Sequence, residues 1–128
     1  MPLKGLTIVP PTDRVPREVR FPGTRAETIV NHATPTNSFV VATVALDPGA
    51  RTKLHFHQRD TFEYVLSGVA RVCDQHGNSQ VITADTGLYY PAGQESAHFW
   101  ETVGSVPVTF LFVYSAPPGE TDGLTPLE

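Results

Sequence analysis

The chain has 128 residues, which is enough for one domain with one hydrophobic core and too few for two. Its composition, 40% hydrophobic and 17% charged, is typical of a folded globular protein, and its net charge of -4 argues against nucleic acid or an anionic membrane as a partner. The single cysteine, Cys73, excludes an intrachain disulfide and a multi-thiolate zinc site within one chain.

Residues 1–37 contain six prolines, which disfavour long helices and predict an extended N-terminal arm with short strand pieces. Arms of this kind often lie across a second subunit, so we expect a homodimer. The start of the chain lacks the long apolar core of a secretory signal, and a cytoplasmic location is expected. The arginines of this stretch are interpreted as solvated surface charges without a catalytic role, namely Arg14, Arg17, Arg20 and Arg25.

The pattern changes after Phe39 to short runs rich in Val, Thr, Phe, Tyr and Ile that end at Gly, Pro, Asp or Asn. This rhythm predicts an all-β jelly-roll barrel over residues 38–116, because closing or doubling the sheet hides its edges. Residues 117–128, rich in Pro and Gly, are predicted to form a flexible tail. The predicted strands are 39–46, 53–57, 61–66, 69–74, 79–83, 87–91, 96–101 and 106–114.

Two histidines, His55 and His57, lie two residues apart on a predicted strand. Both rings therefore project from the same face, which is how a strand can chelate a small ion. A third nitrogen ligand could come from His98 on a later strand. The spacing alone leaves open the alternative that these are ordinary half-buried strand residues.

Two longer stretches resemble the motifs of a known family. Gly49 to Gly68 resembles the first cupin motif, G-x5-H-x-H-x3,4-E-x6-G, and Asp85 to His98 resembles the second, G-x5-P-x-G-x2-H-x3-N. The resemblance covers roughly residues 39–115. It implies a cupin double-stranded β-barrel with a pocket for a small-molecule substrate. It also implies one divalent transition metal (Fe, Mn, Ni, Cu or Zn) on His55, His57 and His98.

The first motif departs from the family at its carboxylate, because Thr61 stands where that ligand is usual. Glu63 lies two residues further on, about 7 Å along the strand and on the same side. Glu63 would then be either a further metal ligand or a catalytic base beside the metal. A register shifted by one residue would instead point Glu63 to water and turn Phe62, Tyr64 and Leu66 inward. We favour Glu63 inside, because the histidines require that face.

The second motif departs in its loop, where four residues instead of two separate Gly93 from His98. We expect a slightly displaced His98, with Glu95 as an alternative polar contact at the pocket mouth.

Several other side chains are assigned structural roles. Asp60 is read as a turn residue, Cys73 as a small buried hydrophobe, and His32 and His76 as surface residues. Inward-facing aromatic residues would form an apolar pocket wall, drawn from Tyr89, Phe99, Trp100, Phe110, Phe112 and Tyr114.

Three imidazole ligands leave coordination positions open for substrate oxygen atoms or dioxygen. The leading hypothesis is dioxygenase-type oxidation of an enol or aromatic substrate. Replacement of the usual carboxylate by Thr61 leaves a more positive metal, which favours anionic, enolate-like substrates. The alternatives are a metal-dependent lyase, isomerase or cyclase, a non-catalytic small-ligand-binding cupin, and a cupin that has lost its metal.

Overall fold

A computed structural model of the protein describes residues 3–18, 20–31, 33–34, 38–115 and 123–128. These residues form eleven strands and two short 3-10 helices, Pro11–Asp13 and Gln94–Ser96. The strands are β1 (Val15–Pro16), β2 (Thr24–Val30), β3 (Phe39–Leu46), β4 (His55–Phe56), β5 (Thr61–Ser67), β6 (Ala70–Asp74), β7 (Ser79–Ile82), β8 (Gly87–Tyr90), β9 (His98–Thr102), β10 (Val108–Ser115) and β11 (Thr125–Pro126).

The strands form two antiparallel sheets that face each other across the core. The larger sheet has the order β1-β2-β3-β10-β5-β8, and the smaller has the order β11-β4-β9-β6-β7. Two facing antiparallel sheets confirm the all-β fold class predicted from the strand rhythm. In the described residues, no helix is long and apolar enough to cross a membrane. The homodimer and the cytoplasmic location stay predictions.

The core lies between the sheets and is filled by alternate residues of the central strands. On β10, Val108, Phe110 and Phe112 are buried while the residues between them are partly exposed. Trp100 on the facing sheet is 1% exposed and stacks on Phe110 with ring centroids 4.4 Å apart. Leu46 is fully buried in the same cluster. The two-residue period of the strands therefore builds a single core.

The register of β5 places Glu63 inside the barrel. Glu63 is 3% exposed, whereas Phe62 and Leu66 are 42% and 45% exposed on the outer face. Thr61 is also buried, as alternation requires. The expected register is correct, and the shifted alternative is wrong.

The turn between β5 and β6 requires glycine. Gly68 has a φ of +85°, and a Cβ at this position would lie 2.4 Å from the carbonyl oxygen of Pro107. Both a left-handed backbone and a close backbone approach exclude a side chain here. Glycine at position 68 therefore allows the turn that ends β5.

The N-terminal arm is shorter than predicted, because β2 is a full strand of the larger sheet. Thr24 pairs with Leu46, and the pairing continues along β3 as far as Val30. The predicted arm boundary at residue 37 is therefore wrong. Residues 23–34 contain no proline and are rich in β-branched residues, which favour a strand.

The expectation of a flexible tail does not hold for residues 123–128. β11 pairs with β4, so that Pro126 lies opposite His55. The Leu127 amide donates to the Leu54 carbonyl at 2.8 Å, and the Gln58 amide donates to the Gly123 carbonyl at 3.1 Å. This short segment holds the strand that carries the first two histidines. Residues 117–122 of the predicted tail lie outside the described residues.

Deleting residues 123–128 should destabilise the protein by about 1–3 kcal/mol, because two or more backbone hydrogen bonds to β4 are lost and each contributes about 0.5–1.5 kcal/mol. Urea unfolding followed by circular dichroism measures this change. Glu128→Gln is the matched control, since it removes only the exposed ion pair with Arg51 and should cost at most about 1 kcal/mol. Equal effects of the two changes would contradict a structural role for the β11 pairing.

Candidate metal centre

Three buried histidines converge between the sheets. His55 on β4 is paired directly with His98 on β9, and their ring centroids are 4.6 Å apart. His57 follows β4 and has its ring centroid 5.1 Å from that of His55. One donor nitrogen from each ring lies within 4.8 Å of the other two. The structure thus brings together the three residues that the sequence singled out.

The backbone orients two of these rings for metal binding. His55 Nδ1 lies 2.6 Å from the carbonyl oxygen of Lys53, and His98 Nδ1 lies 2.8 Å from that of Ser96. A carbonyl only accepts, so each Nδ1 carries the proton and each neutral ring keeps its lone pair on Nε2. Metal-ligating histidines are commonly held in this way.

The environment of His98 keeps its ring neutral. Burial, followed by the neighbouring His55, lowers the pKa of His98 to about 3. The Tyr90 ring stacks on His98 with centroids 3.8 Å apart and an interplanar angle of 7°. A neutral imidazole is the form that binds metal, so the donor set fits a divalent transition metal.

Glu63 lies in the same cavity but outside the three-histidine cluster. It lines the cavity together with the histidines. Among the described residues, however, only the three histidines have donor atoms that all lie within 4.8 Å of one another, and Glu63 is not part of that group. Burial of a carboxylate is costly unless it is hydrogen-bonded. Glu63 therefore lies beside the histidine cluster, and its role as ligand or base stays a prediction.

Glu63 is hydrogen-bonded to Tyr90, which in turn is hydrogen-bonded to Trp100. The indole Nε1 of Trp100 donates to the Tyr90 hydroxyl at 2.8 Å, and Tyr90 in turn is hydrogen-bonded to Glu63. Burial and the nearby Glu63 carboxylate raise the pKa of Tyr90 well above its usual value, so the phenol stays protonated and donates to the carboxylate. Tyr90 therefore fixes both Glu63 and the ring of His98.

The cavity in front of the histidines has a volume of about 90 Å³ and largely apolar walls. Trp100, Phe110 and Phe112 form part of the wall, as the aromatic pattern predicted. Phe21, from the segment before β2, completes it, with its ring centroid 5.2 Å from that of His55. Arg17 and Arg20 also line this cavity. The interpretation as a solvated surface charge is wrong for the partly buried Arg17, whereas Arg20 is exposed at the cavity.

A family model described as "Cupin domain" matches residues 42–114. The chain belongs to the cupin family. The matched range carries both histidine motifs and ends within β10. No curated protein matches the chain.

Solved cupin structures share this architecture. The polyketide cyclase RemF from Streptomyces resistomycificus is 21% identical with a TM-score of 0.80, and the alignment covers 96% of this chain and 86% of RemF. A sugar phosphate isomerase of the cupin superfamily from Silicibacter pomeroyi is 24% identical with a TM-score of 0.64, covering 82% of this chain and 71% of the isomerase. These likenesses establish the fold.

The oxalate decarboxylase from Lactobacillus farciminis is also similar, with 25% identity and a TM-score of 0.70. The alignment covers 91% of this chain but only 34% of the decarboxylase, so this chain spans about a third of that protein. Manganese centres are described in the Bacillus subtilis oxalate decarboxylase. For this chain, the cupin match and the three-histidine cluster are what point to a divalent metal.

The departures from the cupin motifs have local explanations. Thr61, in place of the usual carboxylate, donates its hydroxyl to the Arg59 carbonyl at 3.0 Å and lies outside the cluster. The longer loop forms the 3-10 helix Gln94–Ser96, after which His98 still pairs with His55. The expected displacement therefore does not separate the ligands. Glu95 is exposed and does not line the cavity of the three histidines, but it lines a second pocket together with His98, so its role as a polar contact stays a prediction.

The turn that precedes this loop ties the two motifs together. The Gly93 amide donates to the His57 carbonyl at 2.9 Å. Gly93 has a φ of +112°, a conformation that side chains rarely adopt. The motif glycine thus fixes the strand end that carries His57.

The remaining sequence assignments agree with the structure where it describes them. Asp60 is exposed and accepts a hydrogen bond from the Ala92 amide at 2.9 Å, as a turn residue does. His76 is exposed, and Cys73 is buried, with a thiol pKa raised by burial. Among the aromatic residues, Tyr89 is 63% exposed and faces outward. His32 lies outside the described residues.

Sequence reasoning missed Tyr90, Phe21 and Arg17. Tyr90 shares its strand face with Leu88, and the alternation of β8 could have placed it inside. Phe21 and Arg17 precede β2, and no local sequence pattern shows that this segment lies over the cavity.

Tyr90→Phe should lower turnover about 10-fold without changing metal content, because the ring remains against His98 while the donor to Glu63 is lost. It should also destabilise the protein by about 1–3 kcal/mol, since the buried Trp100 indole loses its acceptor. Steady-state kinetics, metal analysis and urea unfolding measure the three effects. Tyr89→Phe is the control on the exposed face of the same strand. Equal turnover in the two variants would show that Tyr90 does not support Glu63.

Proposed function

We propose that this cupin is a metal-dependent enzyme in which Glu63 removes a proton from a small enolisable or phenolic substrate. The observation that carries the proposal is the buried carboxylate, which shares one apolar cavity with three metal-ready histidines. Buried ionisable groups gathered in a cleft are typical of catalytic sites.

The protein residues divide the work in this proposal. A divalent metal on the histidines would polarise a substrate oxygen and favour its anionic form. Glu63 accepts the proton, and the Tyr90 hydroxyl holds the carboxylate toward the substrate. The apolar walls exclude water, which strengthens the electrostatic interactions inside the cavity. General base catalysis of this kind typically contributes a factor of about 10² to 10⁴ to the rate.

Proton transfer by a side chain changes no oxidation state. We therefore propose cyclisation or isomerisation as the first candidate reaction and the dioxygenase-type oxidation expected from the sequence as the second. One observation nevertheless favours oxidation as the second candidate. Three imidazole ligands leave two or three coordination positions open, and these would face the apolar cavity. Iron, manganese, nickel, copper and zinc stay the candidate metals.

The test uses protein reconstituted separately with each metal and a panel of small 1,3-dicarbonyl compounds and dihydroxybenzenes. Under anaerobic conditions in D₂O, the proposal predicts enzyme-dependent deuterium exchange at the acidic carbon of the dicarbonyl compounds, followed by NMR. Oxygen consumption tied to product formation would instead support the dioxygenase. Tight binding without exchange, oxygen uptake or product for every metal would overturn both and favour a ligand-binding cupin.

A further inference from the structure

A cationic side chain lies at the mouth of the metal cavity. Arg17 follows β1, and its amide donates to the Ala26 carbonyl at 2.8 Å, which fixes this segment against β2. Its side chain is only partly exposed and lines the cavity that contains the histidines.

The contacts of Arg17 leave its charge without a carboxylate. Its guanidinium donates to the hydroxyls of Thr28 at 3.5 Å and Tyr114 at 3.4 Å. The guanidinium carbon lies 5.8 Å from the centre of the Tyr114 ring. Within the described part of the chain, Arg17 forms no ion pair. Two long bonds to neutral groups use two of its five N–H donors.

Other arginines of the barrel differ in this respect. Arg25 pairs with Asp47, Arg51 with Glu128 and Arg71 with Glu101, all on exposed surfaces. A partly buried guanidinium beside apolar walls is stabilised most by an anion that takes two parallel hydrogen bonds. Unlike these three arginines, Arg17 lines the cavity of the histidines, so its remaining N–H donors lie where a ligand can reach them.

The charge balance of the cavity also favours an anion. Besides Arg17, the charged residues that line it are Glu18, Arg20 and Glu63. Two guanidinium groups and two carboxylates balance each other, so a divalent metal on the histidines makes the cavity net positive. An anionic ligand then neutralises the site.

We propose that Arg17 binds the carboxylate of the substrate, so that the enzyme acts on small organic acids. The carboxylate lies at the mouth, and the rest of the molecule extends along Phe21 and Phe112 toward the histidines. A cavity of about 90 Å³ limits the part of the ligand that lies inside it to a single ring or a short chain. This inference rests on the proposed function for the position of the reacting end, but Arg17 can be tested without turnover.

The test compares benzoate with benzamide, which has the same shape and no charge, on the zinc-loaded protein. Calorimetry gives the affinities, and fluorescence of Trp100, the only tryptophan in the chain, reports entry into the cavity that it lines. We expect benzoate to bind at least 10-fold more tightly than benzamide. Arg17→Gln should weaken benzoate about 10- to 100-fold and leave benzamide unchanged, and Arg17→Lys should fall between the two because lysine lacks the bidentate fork.

Arg25→Gln is the matched control, because it removes an equal charge from the outer face of β2 and should leave benzoate binding unchanged. The inference is overturned if Arg17→Gln binds benzoate as the native protein does, or if it weakens benzamide equally. Benzoate binding that depends on zinc and not on Arg17 would place the carboxylate on the metal and also overturn it. Failure of the proposed catalysis appears separately, as absent turnover in a protein that still discriminates benzoate from benzamide.

Discussion

Replacing Glu63 by glutamine should lower turnover by about 10²- to 10⁴-fold while metal content stays near that of the native protein. The amide has the shape of the carboxylate and can still accept the hydrogen bond from Tyr90, but it cannot take a proton. Metal content should persist because Glu63 lies outside the cluster formed by the three histidines. Steady-state kinetics and elemental analysis of the same preparation measure both quantities.

The control for this variant is Glu101→Gln. Glu101 is also on a barrel strand, but it pairs with Arg71 on a partly exposed surface, so its replacement should change neither turnover nor metal content. Loss of metal from Glu63→Gln equal to that of a histidine variant would identify Glu63 as a ligand. Turnover near the native level would remove the base from the proposed function.

The barrel could be predicted from the sequence because its determinants are local. Each strand from Phe39 onward carries its own alternation, and Gly68 and Gly93 mark turns that only glycine can adopt. The inward position of Glu63 depends on a long-range condition, because β5 and the histidine strand β4 belong to different sheets that face one cavity. Once Glu63 faces inward, alternation fixes the other positions of β5.

The parts that could not be predicted depend on contacts between distant segments. β2 and β11 are stabilised by pairing with β3 and β4. The β-branched residues of β2 favour a strand, but no local pattern shows which strand it pairs with, and the two-residue β11 depends wholly on its pairing with β4. An arginine in a proline-rich segment is usually a surface residue. Only the packing of this segment against β2 shows that Arg17 lines the cavity. The cupin motifs located the histidines and also contain Glu63 and Tyr90, whereas Arg17 and Phe21 lie outside both motifs.

Removing a histidine should lower metal affinity, which Glu63→Gln should leave nearly unchanged. His55→Ala and His98→Ala should each lower metal affinity by more than about 100-fold, since losing even a residue that only orients a ligand costs about 10- to 100-fold. Two imidazoles remain in each variant, and among the described residues no fourth histidine lines the cavity to replace the third. Competition with a chromophoric chelator measures the affinity for zinc.

His76→Ala is the control for both variants, because His76 is exposed in the turn after β6 and should leave affinity unchanged. Circular dichroism of the metal-free proteins separates loss of a ligand from loss of fold, which matters most for His98, whose ring packs against Tyr90. Native zinc affinity in a folded His55→Ala or His98→Ala protein would contradict the metal centre. A folded variant that has lost its metal, beside a Glu63→Gln variant that has kept it, would divide metal binding from proton transfer within one cavity. We expect this result because the three histidines bind the metal, whereas Glu63 is held by Tyr90 and not by the metal.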